Sequence, residues 1–283
     1  MEYVECKIPK SISLSGLYTA FKTRFEENYS FDGETHSFWE MVVVLDGEIG
    51  VCAGNKILSL SKGDAFLHEP MEFHRIWSEH QTCPTVIIFT FGSEVMPEIG
   101  KRIFALSEDV LNGLEAMFDE IPEIFDYSGF IISTIKDGCT DKSALFLKKL
   151  EVFLLEAITK HQKKAYESEM NRSKSALSYT NIVRFLETNI SRNLGIDEIA
   201  AGCNMSRSNL KKTFTKYAGL GIMKYFCMLK LRQSENYLRS GLSVSEIATK
   251  LGFCDQNYFS TVFKKHYGCT PSEYVIQYKY NSN

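Results

Sequence analysis

The stretch Gly252–Tyr274, GFCDQNYFSTVFKKHYGCTPSEY, decides how the C-terminal third of the chain is read. Phe259, Val262 and Phe263 recur at three- and four-residue steps, the period of a helix with one face against a core. Asp255 stands where an N-cap belongs, and its negative charge suits that end of the helix dipole. Gly252 permits a tight turn before the helix, and Gly268 permits a stop after it. Thr270-Pro271-Ser272-Glu273 then starts another helix, with a capping box and proline at the first helical position. Gln256, Asn257, Ser260, Thr261 and Lys264 fall largely on the outer face. Either water or a specific partner must meet them.

An earlier stretch answers to the same plan. IDEIAAGCNMSRSNLKKTFTKYAG begins at Ile196, and VSEIATKLGFCDQNYFSTVFKKHYG begins at Val244. Both run E-I-A, a turn, a polar cap, then a second helix with a late phenylalanine and a closing glycine. Glu198 and Glu246 are 48 residues apart, whereas Phe214 and Phe263, like Gly219 and Gly268, are 49 apart. The second copy therefore has one extra residue in or near its turn. Ser243 and Glu246 make a capping box, and Ile247, Ala248 and Leu251 form the stripe beneath it. In the first copy Ser206 is the cap and Leu210 and Phe214 point inward. Arg207, Ser208, Asn209, Lys211 and Lys212 are left outside. Two such units read as tandem helix-turn-helix motifs.

Charge agrees with that reading. The chain has 32 Lys and Arg against 35 Asp and Glu, yet from Thr180 onward the counts are 14 and 7, leaving 18 against 28 before it. A basic third on an acidic body suits a module that binds a polyanion. Gln and Asn match adenine edges, and Lys matches guanine or phosphate. The outward residues of both copies, with Tyr258 and Lys265, are the expected DNA-contacting set.

The motifs Glu246-Ile247-Ala248, Gly252-Phe253, Tyr258-Phe259-Ser260, Phe263-Lys264-Lys265 and Gly268-Cys269-Thr270-Pro271-Ser272-x-Tyr274 resemble the DNA-binding module of the AraC/XylS transcription regulators over about 100 residues. The resemblance implies two subdomains that enter successive major grooves, joined by a long helix that IMKYFCMLKLRQSENYLRSG would supply. Ser234 replaces an alanine usual in that helix, and Val275 replaces an arginine common after the final tyrosine.

The N-terminal half reads differently. EMVVVLDGEIGVCAG and TVIIFTFG are β-rich, with turn signals at Asp46-Gly47, Gly54-Asn55, Lys62-Gly63-Asp64 and Cys83-Pro84, which suggests a sandwich or barrel from Lys7 to Phe91. From about Pro97 the period turns helical. Helices are expected in ALSEDVLNGLEAMFDEI and SALFLKKLEVFLLEAITKHQ. In the second, Leu145, Leu147, Leu150, Val152, Phe153, Leu154 and Leu155 exceed one stripe, so it packs on the barrel or gives part of itself to a dimer seam. Glu34-x-His36-x3-Glu40-x6-Gly47, then Gly63, Asp64, Pro70 and His74, resemble the two motifs of the cupin barrel. That resemblance implies metal ligands at the first position, His36, Glu40 and His74, but the first is Glu34 where metal-binding cupins have histidine. Two His and two carboxylates suit Fe, Mn or Zn. The family uses its barrel for binding, so neither a catalytic residue nor a resident cofactor is expected.

The expected architecture is α+β with two domains: a cupin-like effector-binding and dimerisation domain at 1–168, a linker at 169–179 and an AraC-type DNA-binding domain at 180–283. Aromatic faces from Phe38, Trp39 and Trp77 and polar handles from Arg24, His36, Glu40 and His74 form the expected effector pocket, suited to a sugar or other small polar metabolite. Partners are promoter DNA, RNA polymerase and a second copy of the chain; activation is the family's usual outcome. There is no apolar run of about 18 residues and no charged-then-apolar leader, so neither a membrane span nor secretion is expected. Eight cysteines without paired spacing suit a reducing cytoplasm. Two rival readings stay open: a metal-dependent cupin enzyme with a DNA-binding tail, and a DNA-binding dimer without a ligand.

Overall fold

The structure, a computed structural model, describes residues 3–162 and 173–281, with side chains to residue 276. It divides into two compact units, Met1–Arg172 and Ser173–Asn283.

The first unit holds strands β1 (Ser13–Arg24), β2 (Trp39–Asp46), β3 (Glu48–Ala53), β4 (Lys56–Ser61), β5 (Asp64–His68), β6 (His74–Ser78), β7 (Thr85–Val95), β8 (Ile103–Ala105), β9 (Phe125–Ser128) and β10 (Ile131–Ile135). Seven form one sheet in the order β8-β5-β2-β7-β1-β10-β9, and β4-β3-β6 form a second. The expected barrel thus takes the form of two sheets packed over one core. Val42, Val44, Phe66, Val86 and Ile88 meet Ile49, Val51, Leu58, Leu60 and Ile76 there. On its other face the large sheet sets Met41, Val43, Leu67, Ile87, Phe89 and Phe91 against α1 (Glu108–Asp119), α2 (Ile121–Ile124) and α3 (Thr140–Lys160). Burial on both faces explains the unbroken apolar run of β2. Gly47, Gly54 and Gly63 make the connecting turns with positive φ, as the turn signals require.

Two expectations need correction here. The region after Pro97 is not wholly helical, since β8 pairs with β5 and the β9–β10 hairpin extends the sheet at Thr19↔Ile131. Those strands are three to five residues long, too short for a periodicity signal beside two strong helices. The linker expected at 169–179 also ends early. Residues 169–172 lie outside the described residues, while Lys174–Tyr179 open helix α4 (Lys174–Thr188). Ser173 Oγ accepts from the Ala176 amide, and Ala176 and Tyr179 are buried. A polar composition hid the cap and the first two residues of an apolar stripe that continues through Ile182, Val183 and Leu186.

The second unit continues with α5 (Ile196–Gly202), α6 (Arg207–Ala218), α7 (Ile222–Arg239), α8 (Val244–Lys250), α9 (Gln256–Tyr267) and α10 (Pro271–Asn281). The expected caps are made. Ser206, Ser243, Asp255 and Thr270 each accept from a main-chain amide three residues on, and Gly219 and Gly268 end α6 and α9 in the left-handed region. The repeat can now be aligned residue by residue. Asn204 and Gly252 both take positive φ, and Met205 and Phe253 both donate to the carbonyl five residues back. The extra residue of the second copy is therefore Cys254, inserted just before the cap.

Lys230 on α7 joins the copies. Its Nζ donates to the carbonyl oxygens of Arg192 (2.7 Å) and Gly252 (3.4 Å), and sits over the rings of Phe226 and Phe253. Burial lowers its pKa. Ser234, the departure from alanine, is fully buried and donates to Leu231 O at 2.6 Å, so its hydroxyl is satisfied within the helix. Gly252 is sterically required as well as torsionally favoured, because a Cβ there would lie 2.4 Å from Ser191 O. Gly252→Ala should destabilise the second unit by about 2–4 kcal/mol. Both tryptophans, Trp39 and Trp77, lie in the first unit. The loss should appear as an earlier far-UV circular-dichroism transition with the tryptophan fluorescence transition unmoved.

Candidate functional site

A cavity of about 720 Å³ opens between the sheets of the first unit. Its walls are aromatic: Tyr18, Phe21, Phe25, Tyr29, Phe31, Phe38 and Phe130 line it, with Ile76, Ile88 and Ile131. Tyr18, Phe38 and His36 form a continuous stack, with centroids 4.1 and 4.0 Å apart. The remaining lining is polar: Thr19, Thr23, Arg24, Glu26, Glu34, His36, Glu40, His74 and Thr90.

Strand register assembles the polar group. Glu40 on β2 lies between His68 of β5 and Thr90 of β7. The loop before β2 pairs with β6, where Glu34 and His74 exchange main-chain hydrogen bonds at 3.0 and 3.1 Å. His36, four residues before Glu40, brings its Nε2 to 3.4 Å from Glu40 Oε2. His74 Nε2 lies 3.5 Å from Glu40 Oε1 and 3.8 Å from Glu34 Oε1. One nitrogen or carboxylate oxygen from each of these four residues falls within 4.8 Å of the others.

The electrostatics follow from burial against charge. Burial would raise the Glu40 carboxyl, but the charge of His74 and hydrogen bonds from both histidines hold it well below the usual range. Burial would likewise lower His74, yet Glu40 outweighs it and lifts the imidazole to about 9. Behind them, His68 is driven down to about 4 by burial and by the charge of His74. Its ring centroid lies 4.5 Å from that of His74, and its Nδ1 lies 3.4 Å from Glu72 Oε2. Burial raises Glu72, but His68 and Arg102 bring it to about 2. Arg102 grips it with two hydrogen bonds, of 2.6 and 2.8 Å.

Five of the seven residues expected around the pocket line it: Arg24, His36, Phe38, Glu40 and His74. Trp39 and Trp77 do not. Trp39 precedes Glu40 on β2 and so points to the opposite face, where it packs against the helix-side core. Trp77 is out of phase with His74 and Ile76 on β6; its ring lies over Gly50, and its Nε1 donates to Glu79. Strand parity would have excluded both. The same parity would have found His68, two residues after inward-facing Phe66. Tyr18 and Phe21, by contrast, lie inside β1 at and just past register shifts that break its alternation, and Phe25 lies just past its end, so no simple local pattern reveals them.

In the second unit, α6 exposes Arg207, Ser208, Asn209, Lys211 and Lys212, and α9 exposes Gln256, Asn257, Tyr258, Thr261, Lys264 and Lys265. Ser260 is half-buried at the flank of α9. Its hydroxyl and that of Thr261 donate to the carbonyls of Gln256 and Asn257. Arg207 pairs with Asp197 at 3.5 Å on the surface.

An AraC-like ligand binding domain model matches residues 23–126, and a helix-turn-helix domain model matches residues 199–276. The chain belongs to the AraC family of transcription regulators. Among similar proteins, the HTH-type transcriptional activator RhaR of Mannheimia succiniciproducens is 22% identical over 252 residues, covering 84% of this chain and 85% of that one. The Msm operon regulatory protein of Streptococcus mutans is 25% identical over 252 residues, with 88% of each covered. The crystal structure of ToxT from Vibrio cholerae O395 is similar at 18% identity, a TM-score of 0.38, and coverage of 95% and 98%. As an AraC-family regulator the chain carries a DNA-binding domain and a ligand-binding domain. Among the described residues no helix is long and apolar enough to cross a membrane.

The Arg102–Glu72 pair beneath the cavity gives a direct test of the electrostatics. Arg102→Ala leaves the Glu72 carboxylate buried without its main partner and should cost about 3–5 kcal/mol. Urea unfolding followed by tryptophan fluorescence reads that loss in the first unit alone.

Proposed function

We propose that the chain is a ligand-responsive, sequence-specific regulator whose N-terminal cavity takes a small polar effector and whose α6 and α9 read promoter DNA. The observation that carries the DNA reading is the matched pair of twelve-residue helices, each with a side-chain cap, a left-handed glycine stop and a polar, basic outer face. On α9 the buried side is centred on Phe259 and Phe263, so Asn257, Thr261, Lys264 and Lys265 stand farthest from the core. Asn257 and Gln256 are suited to base edges, and the lysines to phosphate.

The cavity supports an effector of mixed character, a sugar or similar polar metabolite. Aromatic rings offer flat apolar faces, and Thr90, Arg24 and the Glu40 cluster offer directional hydrogen bonds. The effector acts by binding the DNA-competent state more tightly, and a differential of a few kcal/mol is enough to switch the population. On α3 the exposed Leu145, Val152 and Leu155 lie on one side, which supports a homodimer seam. Activation through RNA polymerase is the outcome that the family resemblance favours.

Binding sites selected from a random duplex library provide the probe. With them, Asn257→Ala should lose about 1–3 kcal/mol of affinity for the selected sequence and little for random DNA. Lys265→Ala should weaken both alike and reduce the salt slope by about one. Equal losses on both DNAs for Asn257→Ala would remove it as a base reader. For the cavity, a thermal-shift screen of sugars and polar metabolites should find a ligand that stabilises by roughly 2.7 kcal/mol at 100 times its Kd.

A further inference from the structure

We propose that Lys230 is a positioning residue: by locking the first helix-turn-helix copy against the turn of the second, it sets the half-site spacing that the protein accepts. The proposal rests on the reading of α6 and α9 as the DNA-contacting helices.

Three contacts cross between the copies, and all converge on the segment that joins α4 to α5. Ile190 packs against the second copy's cluster, the one built on Phe259 and Phe263. The Ser191 carbonyl oxygen comes so close to Gly252 that a Cβ there would meet it at 2.4 Å. Arg192 offers its carbonyl oxygen to Lys230 Nζ at 2.7 Å, and Gly252 offers its own to the same nitrogen at 3.4 Å. One ammonium group therefore holds a main-chain atom of each copy. Ring faces flank it, with the centroid of Phe226 at 4.7 Å and that of Phe253, in the second turn, at 5.4 Å.

A lysine is a costly way to fill this position. Lys230 is 5% exposed, and among the described residues it pairs with no carboxylate, only with carbonyl dipoles and ring faces. Buried ionic groups can often be exchanged for apolar ones of similar volume without loss of stability. What an apolar side chain lacks is direction. Methionine at 230 would fill the volume but bind neither carbonyl, leaving the crossing packed without the bonds that fix its angle. Stability and geometry are thus separable at this one residue. The consequence for DNA is geometric. Half-sites one helical turn apart tolerate little error, since one inserted base pair moves the second by about 3.4 Å and about 35°. A rigid frame rejects that displacement, whereas a frame that pivots about α7 follows it.

The test uses the full-length protein and a duplex it selects from a random library, remade with one or two base pairs inserted between the half-sites. Wild-type affinity should fall about tenfold or more at the first insertion, the scale of one lost base-reading contact, and that of Lys230→Met about threefold or less. Lys230→Met should keep the base preference within each half and the far-UV transition of the second unit. Lys265→Ala, which removes a phosphate contact, should lower affinity by the same factor at every spacing. Ile190→Ala loosens the same crossing without touching a charge and should also flatten the spacing response. Should Lys230→Met not fold, Ile190→Ala decides. Wild-type spacing dependence in the deciding variant overturns the proposal. So does a loss of affinity that is equal at all spacings, the mark of a structural role alone. A wild-type protein that selects no two-part site overturns the DNA reading itself, and the proposal with it.

Discussion

The central strands of the first unit's large sheet, β2, β5 and β7, are buried on both faces, and the rest of that unit depends on this. One face packs on three helices and the other on a small sheet, so β2 must be apolar at nearly every position. Glu40 is the exception, a carboxylate in the wall of an apolar core. A buried charge of this kind is tolerated only when partners surround it. Register supplies them: His74 and His36 from above, His68 from the next strand, and Glu72 with Arg102 beyond. The polar floor of the cavity is thus the electrostatic consequence of one residue's place in a sheet.

The second unit solves a different problem, that of holding two small helical motifs in one geometry. Each copy has its own apolar cluster, and α7 belongs to both. Lys230 adds a charged tie from the centre of α7 to the turn of the second copy and to the segment before the first copy's α5. Glu235 adds another, accepting from Tyr267 and Tyr274, so that α7, α9 and α10 share a buried carboxylate. These ties lie away from the outer faces of α6 and α9, which leaves those faces free to differ in sequence without disturbing the frame.

The helix-turn-helix repeat was legible because its signals are local. Caps, glycine stops and three- and four-residue spacing lie within a dozen residues of each other, and the structure keeps each of them. Even the extra residue was visible as a 48-to-49 offset, although only the paired turns of Asn204 and Gly252 placed it at Cys254. The linker was misjudged for the opposite reason, since Lys and Ser around Ala176 and Tyr179 masked a helix whose stability comes from distant packing. Short strands β8 and β10 were missed likewise, because they join the sheet through residues about 40 and 112 positions away, and β9 enters it only through its hairpin with β10.

The sequence by itself determined the two-unit plan, the caps and turns of the DNA-binding unit, and the cluster of His36, Glu40 and His74, since these rest on residue type and short spacing. Only the tertiary structure decided which side of the sheet each side chain faces. It turned Trp39 and Trp77 away from the cavity, brought Glu34 to His74 through a cross-loop pair, and set His68 behind them. The physical reason is strand parity combined with pairing: neighbours in sequence point apart, and the residues that meet are chosen by which strands lie side by side.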